Sequence, residues 1–351
     1  MMTELVDQEI IRAAACPICI LCGNQGEYVH LAQPDRLFGA PGLWNLKKCK
    51  TAGCGLIWLD PMPLTEDIGK AYATYYTHSF QNGTSQPGLL QRLFGLVKRG
   101  YLANHYGYPL ASKALAARFL GPVLYLFPVL RSGVDNGIRL LRAMSGGRVL
   151  DVGCGAGEWL LNMQGLGWQV EGVDFDESAV SVAQAHGLAV RCGTLEAQNY
   201  AANSFDAVTL NHVIEHVPDP VGLLRECVRV LKPHGRLVLA TPNNESLGHR
   251  CFQKYWRGLE PPRHLHLLSP AAMRWLLALA GFEQVVVRTY STEYVWYHSY
   301  RFWLGRKNGN SSREAVPPAV LLPKLMTSVA QVLLLVRPAW GECITAVAVK
   351  P

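Results

Sequence analysis

Residues 149–157, with the sequence VLDVGCGAG, have the composition of a ligand-binding loop. Gly153, Gly155 and Gly157 permit backbone angles that other residues avoid, and they let a ligand approach the main chain closely. Asp174 ends the next apolar stretch, about 20 residues further on, where a carboxylate can accept hydrogen bonds from both hydroxyls of a ribose. The loop and this aspartate together predict a site for a cofactor that contains a nucleoside.

The spacing within the loop separates two cofactor classes. A nicotinamide or flavin site requires Gly-x-Gly-x-x-Gly, with a pyrophosphate at the N-terminus of the following helix. Here a single residue separates Gly155 from Gly157, and Asp151 stands two positions before Gly153. This pattern disfavours a dinucleotide enzyme and favours a methyltransferase.

Residues 150–157 resemble motif I of the class I S-adenosylmethionine-dependent methyltransferases. Four later segments resemble the same family: 172–174 (GVD), 204–208 (SFDAV), 230–237 (VLKPHGRL) and 280–282 (AGF). The resemblance covers roughly residues 146–292 and the last apolar stretch of the chain. It implies an α/β fold, doubly wound and Rossmann-like, whose seven-stranded sheet contains one antiparallel strand.

The resemblance also implies which residues contact S-adenosylmethionine. They are Asp151, Gly153, Cys154, Gly155, Gly157, Asp174, Phe175, Thr194, Leu195, Asn211 and His212. Asp151 and the loop backbone would contact the amino-acid end of the cofactor, and Asp174 its ribose. Thr194 and Leu195 occupy the segment that meets adenine, although the family commonly has aspartate at the first of these positions. Asn211 and His212 would lie near the methyl group.

Residues 211–220 (NHVIEHVPDP) carry several groups that could move a proton. His212, Glu215 and His216 form His-x-x-Glu-His, which is also an inverted zinc-protease motif, but the prolines at 218 and 220 end any helix too early for that site. The segment resembles the Glu-His-Val signature of the ubiquinone-biosynthesis branch. Some members of that branch hold a divalent metal with an acidic triplet, whose first acid is replaced here by His212. Either Glu215 or His216 acts on a substrate hydroxyl, or both brace the loop.

A second cluster lies at residues 256–266, WRGLEPPRHLH. Proline-rich loops at the ends of strands present side chains to ligands. His264 is the alternative general base, and Arg263 could contact a phosphate or a carboxylate. The other interpretation is a purely structural lid.

Two cysteine pairs precede glycine near the N-terminus: Cys19-x-x-Cys22-Gly and Cys49-x4-Cys54-Gly. This spacing is typical of a closed, structural zinc site with four thiolates. Cys16 offers an alternative to Cys19 or Cys22, and the opposing interpretation is a set of unrelated buried thiols. Together with residues 56–63, the segment resembles the zinc-ribbon module of some bacterial methyltransferases linked to sugar or polysaccharide pathways.

Apolar stretches alternate with helical patterns after residue 147, which predicts a mostly parallel sheet covered by helices. The predicted strands are 148–152, 169–173, 189–192, 205–210, 236–240, 284–288 and 344–349, and predicted helices include 89–99, 220–232 and 270–280. Three regions follow: a zinc-ribbon-like module at 1–63, a helical cap or linker at 64–145, and the methyltransferase domain at 146–351 with an insert at about 293–340.

The overall composition limits the partners of the chain. Its 351 residues are 49% hydrophobic and 17% charged, as in a globular enzyme. The net charge of +7 comes without a dense basic run, so we expect no nucleic acid, whereas an anionic substrate or a membrane surface is compatible with it. Ten cysteines without a secretory signal indicate a reducing compartment, the cytoplasm. No transmembrane helix is expected; the helices at 89–130 and the insert are candidates for peripheral membrane contact.

These observations predict transfer of a methyl group to a small-molecule or carbohydrate acceptor, on oxygen or carbon. A nucleotide sugar, a lipid-linked glycan, a quinone precursor and a small metabolite all fit. The alternative is a non-catalytic cofactor-binding or scaffold protein whose zinc module docks a partner. Methylation of a nucleic-acid base is disfavoured, because residues 211–214 (NHVI) stand where that chemistry uses an Asn/Asp-Pro-Pro-Tyr-like tetrapeptide.

Overall fold

The computed structural model describes residues 10–73, 88–110, 116–307 and 321–351. These residues form two compact units. Among the described residues, the first unit draws on 10–73, 211–225, 239–307 and 321–348, and the second on 88–110, 116–210, 226–238 and 349–351. The division at residues 63 and 145 stays a prediction.

The strands of the described residues are numbered in chain order. They are β1 (Ala13–Ala14), β2 (Gly26–Gln33), β3 (Trp44–Cys49), β4 (Ile57–Leu59), β5 (Met62–Pro63), β6 (Arg148–Val152), β7 (Gln169–Asp174), β8 (Ala189–Cys192), β9 (Phe205–Asn211), β10 (Leu231–Pro242), β11 (His266–Leu267), β12 (Glu283–Tyr290) and β13 (Cys343–Val349).

The α-helices of the described residues are numbered in the same way. They are α1 (Leu89–Tyr101), α2 (Ala117–Leu120), α3 (Pro128–Gly137), α4 (Glu158–Gly165), α5 (Glu177–Ala185), α6 (Pro220–Val230), α7 (Leu247–Phe252), α8 (Pro270–Leu279), α9 (Glu293–Lys307) and α10 (Leu321–Leu333). Short 3-10 helices include Thr65–Tyr72, Ile214–His216 and Arg257–Leu259.

The larger sheet has seven strands in the order β12-β13-β10-β9-β6-β7-β8. β6 pairs in parallel with β7 and β9, and β7 pairs in parallel with β8. β13 runs antiparallel to β10: Asn243 N–H donates to the Glu342 carbonyl (2.9 Å) at one end, and His234 N–H donates to the Lys350 carbonyl (3.0 Å) at the other. The predicted doubly wound sheet with one antiparallel strand is confirmed.

The central strands are mostly buried and rich in apolar residues. Four of the five residues of β6 are buried, and so are five of the seven residues of β9. A parallel strand with helices on both faces requires this continuous run rather than an alternating pattern. The same runs made these strands predictable from the sequence.

One boundary was predicted wrongly. The helix expected to reach residue 232 ends at Val230, and β10 begins at Leu231 instead of Arg236. Pro233 accounts for the early end, because a proline disfavours the helical conformation of the residue before it. Lys232 is then extended, and its ammonium pairs with Asp206 at 2.8 Å.

The smaller sheet has four strands in the order β11-β4-β3-β2. β11 pairs antiparallel with β4, with His266 opposite Trp58. Leu59 N–H also donates to the Leu265 carbonyl at 3.1 Å. Within the first unit, this pairing places the loop before β11 beside the strands that follow the cysteine pairs.

The insert between β12 and β13 is helical where the structure describes it, with α9 and α10 as its main elements. Across the described ranges, none of the helices combines the length and apolar character needed to cross a membrane.

Candidate functional site

The glycine loop after β6 has the open geometry that a ligand-binding loop requires. Gly155 has a left-handed backbone (φ 53°), and a Cβ atom added there would meet no other atom within 4 Å. Gly157 is also left-handed (φ 85°), but a Cβ there would lie 2.4 Å from a methyl of Leu188. Gly155 therefore leaves space above the main chain, and Gly157 lets the following helix pack closely.

Asp174 ends β7 and is bound to the loop. Gly155 N–H donates to its Oδ2 at 2.7 Å, and Asp176 N–H donates to its Oδ1 at 3.0 Å. Burial raises the pKa of Asp174, although both hydrogen bonds favour the ionised form. A carboxylate has about four lone-pair sites, so these two contacts leave acceptor capacity for ribose hydroxyls.

Asp151 lies on β6 and is fully buried. Its Oδ1 accepts a hydrogen bond from the Thr209 hydroxyl (2.8 Å) and pairs with the Arg139 guanidinium. Its Oδ2 has no hydrogen-bond partner among the described residues. Burial raises the pKa of Asp151, and Arg139 opposes that shift. A buried, unpartnered acceptor next to a cation is an incomplete polar site.

Arg139 is a candidate site residue that the sequence analysis did not single out. It follows α3 in a left-handed conformation (φ 50°), and its guanidinium lies 3.9 Å from the ring centre of Trp159. Its Nη1 also donates to the Thr209 hydroxyl at 2.7 Å. No motif marks this arginine, because it lies before the segments that carry the family resemblance.

The remaining residues predicted near the cofactor in the second unit differ in exposure. Phe175 is 60% exposed, whereas Cys154 is buried, with its thiol directed to the Gly155 carbonyl at 3.6 Å. Thr194 is exposed and accepts a hydrogen bond from Ala197 N–H. The side chain of Leu195 is buried in the core, so any contact with adenine would use its main chain.

In the first unit, Glu215 is fully buried and fixed through both carboxylate oxygens. Its Oε1 lies 3.0 Å from Nδ1 of His212, and its Oε2 accepts the Thr241 hydroxyl at 2.9 Å. Burial opposes ionisation, but the hydrogen bond and charge of His212 lower the pKa of Glu215 to about 2. Desolvation by burial lowers the pKa of His212, but hydrogen bonds to Cys343 and Glu215 have a larger effect in the opposite direction. The pKa of His212 is therefore raised. The two groups form an ion pair. Asn211, at the end of β9, is exposed.

His216 is half-buried and held through one ring nitrogen. Its Nδ1 lies 3.0 Å from the Arg263 carbonyl and 2.9 Å from the Tyr72 hydroxyl. Because a carbonyl can only accept, Nδ1 carries the hydrogen in the neutral ring. Nε2 is therefore the nitrogen that can accept a proton.

His264 lies beside His216, with ring centres 4.7 Å apart. Its Nδ1 donates to the Gly258 carbonyl at 2.7 Å, and its Nε2 lies 3.6 Å from a Glu260 oxygen. Burial lowers the pKa of His264 to about 4, so the ring is neutral near pH 7. One ligand atom each from Glu215, His216 and His264 lie within 4.8 Å of one another, a donor set that a divalent cation accepts.

The predicted contact of Arg263 with a substrate is wrong. Arg263 is fully buried and forms two hydrogen bonds to Asp35, at 2.8 and 2.9 Å. Its Nε donates to Glu260 at 2.9 Å, and its Nη1 donates to the Ala71 carbonyl at 3.0 Å. The guanidinium is satisfied inside the protein and anchors the loop that contains Asp35.

The four predicted cysteines come together. The Sγ atoms of Cys19 and Cys54 are 3.6 Å apart, those of Cys22 and Cys49 are 3.4 Å apart, and all four lie within 4.8 Å. Cys16 lies outside this cluster, and its backbone N–H donates to Asp60 at 2.7 Å. The structure thus selects Cys19 and Cys22 as the first pair.

The sheet order, the glycine loop, Asp151 and Asp174 have the arrangement typical of class I S-adenosylmethionine-dependent methyltransferase domains. Residues 127–287, slightly less than half of the chain, match the family described as "Methyltransferase domain", a range that includes Arg139 and His264. The family that the sequence resembles is therefore matched over this segment.

Several relatives are named for a more particular activity. The chain is 45% identical over 107 residues to a "Ubiquinone biosynthesis O-methyltransferase" of Xanthomonas oryzae pv. oryzae, a match to 28% of this chain and 45% of that protein. It is 39% identical over 110 residues to the enzyme of the same name in Thiobacillus denitrificans, covering 29% of this chain and 47% of that protein. The chain thus spans less than half the length of these curated relatives.

Solved structures of methyltransferases are more distantly similar. One from Archaeoglobus fulgidus is 22% identical with a TM-score of 0.41 and covers 58% of this chain and 86% of that one. One from Thermotoga maritima is 21% identical with a TM-score of 0.43 and covers 67% of this chain and 97% of that one.

Proposed function

We propose that this chain transfers a methyl group from S-adenosylmethionine to a hydroxyl of a small-molecule acceptor. The observation that carries the proposal is the buried pair of Arg139 and Asp151, in which Asp151 Oδ2 lacks a hydrogen-bond partner. The amino-acid end of the cofactor bears an ammonium and a carboxylate. Asp151 would hold the ammonium and Arg139 the carboxylate, which completes the unsatisfied site.

The other residues of the second unit would hold the nucleoside. Asp174 would accept the ribose hydroxyls, and the open backbone at Gly155 would let the cofactor approach the main chain. The bound cofactor supplies an activated methyl group on a positively charged sulfur. The protein's own contribution is therefore alignment, exclusion of water and management of one proton.

His216 is the proposed general base. Its Nδ1 is fixed by the Arg263 carbonyl, so its half-buried Nε2 can accept the proton of the acceptor hydroxyl. Glu215 and His264 are positioning residues in this proposal, because both are buried and bonded to protein groups.

The relatives are named O-methyltransferases, and these names favour oxygen over carbon as the atom that receives the methyl group. A quinone precursor or another small hydroxylated metabolite fits best, and a carbohydrate acceptor stays a prediction. Isothermal titration with S-adenosylmethionine tests the cofactor half of the proposal, and labelled methyl transfer into fractions of a cell extract tests the acceptor half. Absence of cofactor binding would favour the scaffold hypothesis instead.

We also propose that Cys19, Cys22, Cys49 and Cys54 hold a structural zinc ion. Thiolates are preferred zinc ligands, and all four sulfurs lie within 4.8 Å of one another. Metal analysis of protein purified under reducing conditions tests this proposal directly. One zinc per chain is expected.

A peripheral membrane contact through α1–α3 of the second unit is a further part of the proposal. Leu89, Leu90 and Phe119 are 81–87% exposed, and the chain has no Asp or Glu between Asp67 and Asp135. Exposed apolar side chains on a cationic, acid-free segment suit a bilayer that contains anionic lipid. The protein should therefore co-sediment with vesicles that contain phosphatidylglycerol. The L90E variant should bind these vesicles less strongly. Equal sedimentation of both proteins would contradict this assignment.

A further inference from the structure

A pocket in the first unit is lined by neither His216 nor the four cysteines. Its open volume is about 250 Å³, which includes adjoining solvent, so it is a partly open hollow in the surface. Its principal lining side chains are Arg36, Leu37, Trp256, Arg257, Leu259 and Phe302. Two arginines and two aromatic rings thus surround one cavity.

Arg36 is a half-buried cation without a carboxylate partner among the described residues. Its Nη1 donates to the Gln33 side-chain oxygen at 3.2 Å, and its guanidinium lies 5.0 Å from the ring centre of Tyr255. Lys254 approaches the same ring, at 5.6 Å. Burial lowers the pKa of Arg36, which is the direction expected when no negative charge compensates the cation. Arg36 and Lys254 therefore both lie near the ring of Tyr255, and among the described residues neither cation has a carboxylate partner.

Arg257 contributes an unsatisfied donor to the pocket. Its Nη1 pairs with Glu260, but within the part of the chain that the structure describes its buried Nε has no hydrogen-bond partner. Buried donors are almost always paired in folded proteins, so an exception requires an explanation such as a ligand.

The acids that line this pocket do not neutralise Arg36. Asp35 is bound at both oxygens by Arg263, and it also accepts backbone N–H groups including that of Ala40. Glu260 is shared between Arg257 and Arg263. Among the described residues, the positive charge of Arg36 is consequently left without a carboxylate partner at the pocket.

We propose that this pocket binds an anionic group, a phosphate or a carboxylate, carried by the methyl acceptor. Arg36 supplies the main charged contact, the Nε of Arg257 supplies a further donor, and Trp256 and Phe302 line the space for an adjoining apolar part of the molecule. The link to the acceptor rests on the proposed function; the anion site itself does not. The acceptor class is thereby narrowed to hydroxylated molecules that are also anions.

Calorimetric titration tests the site with probes of both chemistries: pyrophosphate for the phosphate class and benzoate for the carboxylate class, in phosphate-free buffer at low salt. The variants are Arg36→Gln, Arg36→Lys and the more exposed Lys254→Gln. Arg274→Gln is the matched control, because it removes one positive charge from an exposed position on α8 of the same unit. Circular dichroism establishes that each variant is folded.

We expect at least one probe to bind the wild type, with a dissociation constant that rises about 10- to 100-fold in Arg36→Gln. Arg36→Lys should lose less, Lys254→Gln should weaken binding moderately, and Arg274→Gln should bind as the wild type does. Binding of only one probe identifies the anion class. The proposal is overturned if neither probe binds at millimolar concentration, or if Arg36→Gln and Arg274→Gln weaken binding equally.

A parallel titration with S-adenosylmethionine separates this proposal from the proposed function. Protein that binds the cofactor but neither probe refutes the anion site alone. Protein that binds a probe but not the cofactor supports the anion site and refutes methyl transfer.

Discussion

Replacement of Arg139 by methionine tests the cofactor site most directly. Methionine keeps an unbranched apolar side chain but removes the guanidinium that contacts Asp151 and Thr209. A hydrogen bond to a charged group contributes about 1.5–3 kcal/mol. Loss of the bond proposed for the cofactor carboxylate should therefore raise the dissociation constant of S-adenosylmethionine about 10- to 150-fold.

The same substitution should lower the free energy of unfolding. Asp151 is fully buried, and Arg139 is its cationic partner. Removal of one member of a buried ion pair typically costs about 3–5 kcal/mol. Because burial already raises the pKa of Asp151, proton uptake by this carboxyl should offset part of the loss. Denaturant unfolding at two pH values measures both effects.

Titration calorimetry on folded protein separates these two consequences. Arg142→Met is the matched control, because Arg142 is exposed and stands three positions away. Arg139→Lys should retain part of the affinity, since an ammonium keeps the charge but cannot form two parallel bonds. If folded Arg139→Met bound the cofactor as tightly as the wild type, Arg139 would be a structural residue and the proposed role would be refuted.

Three further tests concern the cysteine cluster, His216 and Glu215. Cys54→Ser should lose zinc while Cys16→Ser retains it, as measured by metal analysis; equal zinc content would argue against the site. His216→Gln should reduce labelled methyl transfer at least 100-fold and leave cofactor affinity unchanged, whereas undiminished transfer would exclude His216 as the base. Glu215→Gln should remove a pH-dependent contribution to stability. The pKa of Glu215 is lowered from an ordinary 4.5 to about 2, so its contribution is complete above pH 4.5 and is lost as the pH falls towards 2. Wild type and variant should then converge in unfolding free energy over that range, and a constant difference would contradict the shift.

The sequence was sufficient for features that depend on local patterns. The strands β6 and β9 are mostly buried and rich in apolar residues, and the glycine loop requires small residues at fixed positions. The cysteine pairs were predictable because a tetrahedral metal site restricts ligand spacing. Each of these signals lies within a few residues of chain.

Features that depend on distant partners were not predictable. Arg263 has the composition of a ligand contact in its loop, but Asp35, 228 positions away, neutralises it inside the protein. Arg139 showed the opposite case, because only the folded chain brings it to Asp151 and Thr209. The role of an arginine depends on which carboxylate lies next to its guanidinium in the folded protein. The sequence does not give the distance between these two groups.

Within the first unit, a series of hydrogen bonds links the cysteine cluster to the segment of Glu215. The Ser269 hydroxyl donates to the Cys54 carbonyl at 3.0 Å, and a few residues further on β4 pairs with β11. Just before β11, Leu265 N–H donates to the Glu215 carbonyl at 2.7 Å. Hydrogen bonds thus run from the cysteine cluster through β4 to the loop that holds His264 and on to the segment of Glu215. A zinc ion that fixes one end of this series would restrict the proposed proton-transfer groups at the other, although it takes no part in the chemistry.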